Sequence, residues 1–204
     1  MNHITTTSDT TSILCFFAVL AAVLSALSLV IVHFLPTGVN PVSEAVSDYG
    51  VGKYKNFYRL AAFWLGAAGL LVAIALARAI FPKPTLTILA LLVFAAVRWS
   101  ITIFPTDLPG EDETSVGKAH ETLAAIAFSS IAVAAGFFWP AVSDDPFWNP
   151  HRGLLTALAA AVIVAVIATG LTRRVVLKQY FGLVERLLYV TMFAWLIAVA
   201  AILA

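Results

Sequence analysis

Six apolar stretches occupy most of this chain: Ile13 to Leu35, Phe57 to Ile80, Thr85 to Phe104, Ala119 to Pro140, Leu154 to Thr172 and Leu183 to Ala204. Each is close to the roughly 20 residues that a helix needs to cross a hydrocarbon core. The chain is 61% hydrophobic and 11% charged, whereas a soluble domain is about half apolar and a quarter charged. The longest gap between stretches, Pro36 to Asn56, leaves no room for a soluble domain. The sequence predicts an all-α, polytopic membrane protein: a single domain over residues 1–204, with six transmembrane helices arranged as three hairpins. A short polar tail over residues 1–12 precedes the first span. That leader, Met1 to Ser12, contains no Lys or Arg, and the apolar run after it is about twice a signal-peptide core, so the first span is expected to be retained. The expected location is the cell membrane, as a multi-pass protein.

Six crossings put loops one, three and five on one side. Nearly every ionisable residue outside the tail is there, including Glu44, Asp48, Arg59, Asp107, Glu111, Lys118, His120, Arg174, Glu185 and Arg186. We call this the rich face. It holds eight Lys/Arg in its loops and span ends, against Arg78, Lys83 and Arg152 opposite. The positive-inside rule then places the rich face in the cytoplasm and both termini outside. The net charge of +1 points to no charged partner, and no basic-aromatic pattern suggests nucleic acid. The expected partners are membrane lipid and a small-molecule or lipid ligand. Cys15 is the lone cysteine, so an internal disulfide and a thiolate metal site are both excluded. Ala157, Ala161, Ala165 and Thr169 on the fifth span, and Ala62 with Gly66 on the second, form small-residue ridges that let helices approach. Tryptophans and tyrosines near span ends, among them Tyr58, Trp99 and Trp148, read as an interfacial belt. Loops two and four read as turn chemistry with an aromatic anchor.

Four constellations on the rich face could carry chemistry. After Asn40-Pro41, a short helix closed by Gly50 would align Ser43 with Ser47 and Glu44 with Asp48. Asp107 ends the third span and His120 opens the fourth, so a hairpin brings a carboxylate beside an imidazole, the core of many acid–base sites. Glu185 and Arg186 open the sixth span and are expected to pair with other helices. Arg98 lies inside the third span, where a charge marks a site or a paired network; Asp107, Glu44 and Asp48 are its expected partners. His33 and His120 would be one histidine pair for a haem, fewer than a transmembrane electron-transfer chain needs. A three-histidine zinc site cannot be built, so no metal is expected, and the cofactor is unknown. Val51-Gly52-Lys53, Val116-Gly117-Lys118 and Gly182-Leu183 recur at 65-residue intervals, each followed by a phenylalanine at constant spacing. If these are repeats, Gly52, Gly117 and Gly182 are equivalent helix starts, and Lys55, His120 and Glu185 equivalent polar positions.

The ordered set Asn40-Pro41, Ser47-Asp48-Tyr49-Gly50, Phe104-Pro105-Thr106-Asp107, Gly117 with His120, and Gly182-Leu183-Val184-Glu185-Arg186 resembles the six-span membrane family called domain of unknown function 998. The family's usual Ser-Glu-Tyr stands here as Ser47-Asp48-Tyr49, which keeps the carboxylate. The resemblance implies a six-helix membrane bundle and no settled activity.

Two functions compete. The first is a small non-enzymatic transporter, sensor or accessory protein, with Glu44, Asp48, Arg98, Glu185 and Arg186 as a polar cluster that binds a ligand or ion. The alternative is an intramembrane hydrolase or transferase acting on a lipid or prenyl-type substrate. In it, Ser47 would be the nucleophile and His120 the base, oriented by Asp107. No Gly-x-Ser-x-Gly nucleophile motif is present, which favours the first.

Overall fold

The computed structural model describes residues 3–110, 112–174 and 177–204. Glu111 and the side chain of Arg174 lie outside the described residues. The helices are α1 (Asp9–His33), α2 (Lys55–Ala79), α3 (Thr85–Ser100), α4 (Ser115–Val142), α5 (Arg152–Arg174) and α6 (Phe181–Leu203). Each packs on its neighbour in sequence, and α6 returns to α1, so the helices form a closed ring, with α2 also touching α6 across it. The outer wall is apolar: Phe16, Leu27, Leu89, Val164, Ile167 and Val190 are all exposed. Inside, Leu65, Phe94, Ile131, Trp195 and Val199 are sealed off. A surface this apolar all round suits lipid rather than water.

Local chemistry sets the helix ends. Ser8 caps α1 by accepting from the Thr11 N–H, and Thr114 caps α4 by accepting from the Gly117 N–H at 3.0 Å. Among the described residues, five helices are long and apolar enough to cross a membrane; α3, with 16 residues, is shorter. It spans about 24 Å of a core about 30 Å thick. The apolar run to Phe104 does not stay helical, because Pro105 disfavours the helical conformation in the residue before it. A single turn, Ile103 N–H to the Ser100 carbonyl at 3.0 Å, carries the chain on. Arg98 is thus in the last turn of α3, closer to the rich face than a span ending at Phe104 implies.

Close approach comes from small residues. Ser25 donates to the Ala61 carbonyl at 2.7 Å across α1 and α2. A Cβ on Gly66 would lie 2.7 Å from the Trp99 indole nitrogen, so the α2 ridge does seat against α3. The α5 ridge holds only in its second half: Ala165 and Thr169 are buried and Ala157 is exposed.

The face opposite the rich one is tied by the N-terminal segment. Strand β1 (Ile4–Thr5) pairs antiparallel with β2 (Ile80–Phe81). His3 bonds Asp144 through both its backbone N–H (3.1 Å) and its ring (2.9 Å). Thr5 Oγ1 donates to Asp145 and accepts from Trp148 Nε1 at 2.8 Å. Trp148 and Tyr58 are therefore not belt residues: they are 0% and 3% exposed, inside the protein.

Candidate functional site

The first loop, Asn40 to Gly50, closes the rich-face end of the ring. It folds on itself through its own polar side chains. Asn40 Oδ1 accepts from the Val42 N–H at 3.0 Å, Glu44 Oε2 from the Asn40 N–H at 2.8 Å, and Asp48 Oδ2 from the Ala45 N–H at 2.9 Å. Val46, Asp48 and Tyr49 are buried, and Ser43 and Ser47 half-buried. Burial pushes the Asp48 carboxyl up to about 6, Glu44 adding to the shift and the Ala45 N–H and Arg186 opposing it.

Helix α6 receives this loop along its first turn. The Leu183 N–H donates to the Val42 carbonyl at 3.0 Å. Glu185, 4% exposed, accepts from the Val46 N–H at 2.7 Å. Arg186 donates to the Glu44 and Gly182 carbonyls (2.9 Å each), to Tyr49 Oη (3.1 Å) and to His33 Nε2 (2.7 Å). A Cβ on Gly182 would stand 2.2 Å from the Glu44 carbonyl oxygen, so only glycine allows this contact. The Gly-Leu-Val-Glu-Arg motif is a clamp on loop-one backbone. The expected pairing with another helix is met by Arg186, through His33 on α1, whereas Glu185 binds loop-one backbone; no ion pair joins either one among the described residues. Both nitrogens of His33 are also engaged, since its Nδ1 bonds the Leu29 carbonyl at 2.6 Å. It offers no free haem ligand.

Asp107 and His120 meet the same corner of the fold but do not bond each other. Asp107 accepts from the backbone N–H and the hydroxyl of Thr114, at 2.8 Å each, which holds its carboxyl below the usual range. A Cβ on Gly117 would fall 2.0 Å from Asp107 Oδ2, so glycine lets the carboxylate close over the start of α4. His120, one turn further, is 3% exposed and bonds the Phe104 carbonyl through Nδ1 at 2.7 Å. Asp107 secures the helix start, and a backbone carbonyl orients the histidine. Ser47 bonds neither; its turn packs on α2 and α6.

Arg98 is the centre of what remains. It is 1% exposed. Its Nη1 donates to Tyr189 Oη at 3.1 Å, and its guanidinium carbon lies 5.5 Å from the Tyr189 ring centre. Nε and Nη2 have no hydrogen-bond partner among the described residues. The Tyr58 hydroxyl is beside it, and Glu185 and His120 lie within electrostatic reach. The expected partners Asp107, Glu44 and Asp48 make no ion pair with it, because all three carboxylates are held by nearby backbone. Its place in the last turn of α3 sets the cation near the negative end of the helix dipole, which eases its burial. The sequence reads Tyr58 as a belt residue and does not single out Tyr189. Tyr189 follows Glu185 by four residues on one helix face, which is a readable signal.

The repeat is partly realised. Gly117 and Gly182 both lie in the first turn of a helix, against a carboxylate and a carbonyl. Gly52 lies before α2 in a turn with φ +79°, and Lys55 is exposed, so the first unit is not equivalent.

A ring of six helices, five of them membrane-crossing in length and apolarity, with a roofed polar centre, defines a polytopic α-helical membrane protein. The chain belongs to the family described as protein of unknown function (DUF998), whose model matches residues 19–202. That range takes in loop one, Arg98, Asp107, His120 and the α6 clamp, and leaves out β1. No curated protein and no solved structure matches the chain.

Proposed function

We propose that this is a non-enzymatic protein of the cell membrane that binds a small anionic ligand inside the helix ring at Arg98, as a carrier, sensor or accessory subunit would. One observation carries the reading: a fully buried guanidinium whose Nε and Nη2 find no hydrogen-bond acceptor among the described residues. Buried donors are almost always satisfied, and an exception points to a bound ion, ligand or water. A planar guanidinium favours a carboxylate or phosphate, which can accept from it in pairs. Tyr58, Tyr189 and His120 would line the rest, with loop one as the roof. Binding without turnover is favoured because Asp107 is bonded to Thr114 and His120 to Phe104, which leaves the acid–base dyad unassembled.

The test is the melting temperature of the detergent-solubilised protein, titrated with chloride, acetate and inorganic phosphate. At least one probe should stabilise it saturably, by about 2.7 kcal/mol at a hundredfold excess over its dissociation constant. Arg98→Gln should abolish the response. Melting independent of all three anions, or an equal response in Arg98→Gln, contradicts the reading.

A further inference from the structure

A second feature, independent of Arg98, lies on the outside of the ring. A groove of about 740 Å³ runs between α2 and the end of α3, lined by Asn56, Arg59, Phe63, Trp99, Thr102 and Ile103 among others. Two halves of different chemistry meet there. Arg59 and Asn56 are exposed on the first turns of α2, and Arg59 has no ion-pair partner among the described residues. The cations Lys53, Lys55 and Arg59 gather at this end, with no acidic residue anywhere from Val51 to Ala79. One helical turn deeper the wall is apolar: Phe63 is 48% exposed and Trp99 stacks on it at 6.2 Å, while Ile103, 72% exposed, follows α3 on the other side of the groove. The Trp99 indole is pinned by its bond to the Phe63 carbonyl at 3.0 Å, so the wall is fixed. Helix α3 ends at Ser100, and Thr102 and Ile103 beyond it complete the lining of the groove.

We propose that this notch is a binding site for one anionic phospholipid. Its phosphate sits on Arg59 and the Asn56 amide, and its glycerol and upper acyl chains lie along Phe63, Trp99 and Ile103. A cation above an apolar wall at membrane-interface depth matches an amphiphile whose charge and chain are joined. A free anion would leave the apolar half exposed. A zwitterionic lipid lacks the net charge that the unpaired cations attract.

Native mass spectrometry of the intact protein, released from micelles doped with phosphatidylglycerol or phosphatidylcholine, counts bound lipid and separates it by mass from inorganic phosphate. Wild type should retain one phosphatidylglycerol in preference to phosphatidylcholine. Arg59→Gln should lower that affinity about fivefold, the amount one surface cation contributes. Lys83→Gln, on the opposite face, should retain the wild-type count. Asn56→Ala, which removes only an exposed amide, should weaken retention in the same direction. Equal retention of the two lipids, or wild-type retention in Arg59→Gln, overturns the proposal. So do phosphate adducts that depend on Arg59 in the absence of lipid, which would make it a plain anion site. Phosphate binding that depends on Arg98 belongs to the interior site and leaves the lipid count unchanged.

Discussion

Arg186 reaches four acceptors from three segments of the chain: α1, loop one and its own helix. Its neighbour Glu185 turns the other way and takes the Val46 N–H. These two side chains hold loop one by its backbone, and the loop's own side chains hold its shape. Glu185→Ala should leave a buried N–H without an acceptor, lowering stability by about 1–3 kcal/mol, whereas Glu185→Gln keeps an acceptor oxygen and should lose less. Melting curves of the two variants check the order. Asp48 gives a pH signature. Its folded pKa, about 6, lies above the unfolded value near 3.8, so the folded state binds the proton more tightly. Stability linked to Asp48 is therefore full below about 4, declines as pH rises through about 6, and is flat above. Wild type should gain more melting temperature between pH 7.5 and pH 5 than Asp48→Asn does. Parallel profiles would remove Asp48 as the source.

At the scale of elements, loop one and the start of α6 are one unit joined through Gly182. Gly182→Ala places a Cβ against the Glu44 carbonyl, a backbone atom that cannot swing away. The expected outcome is a loss of about 1–3 kcal/mol and faster limited proteolysis within residues 40–50, with the helical content kept. Unchanged proteolysis would show that the loop is held elsewhere. How much of this was legible in the sequence depends on the partner type. The spans were readable, because lipid demands long apolar runs whatever the partner. The motif residues stood out, yet their roles were misread where the partner is main chain. Glu185 binds an N–H group and Arg186 two carbonyls beside His33 and Tyr49, and main-chain groups carry no residue signature. Asp107 was read against His120, although Thr114, an ordinary helix cap, was the nearer partner. The α3 boundary was missed by four residues, because hydropathy continues past Ser100 while Pro105 ends the helix. The clasp of His3 and Thr5 on Asp144, Asp145 and Trp148 spans about 140 residues of sequence and has no local pattern.

For the whole molecule, closure of the ring divides the polar groups into three kinds. Surface ion pairs such as Lys118–Glu113 and Arg173–Glu121 face water and contribute little. The loop-one clamp and the N-terminal clasp close the two ends. Arg98 belongs to neither, and its unpartnered nitrogens lie in the interior that both ends seal. The central claim is that this interior cation holds a ligand. An experimental density map of the protein, prepared with the anion that raises its melting temperature, tests it most directly. The account predicts non-protein density within hydrogen-bond distance of Arg98 Nε and Nη2, shaped as that anion and lost in Arg98→Gln. A protein carboxylate closed on both nitrogens, or density for ordered water alone, would contradict it.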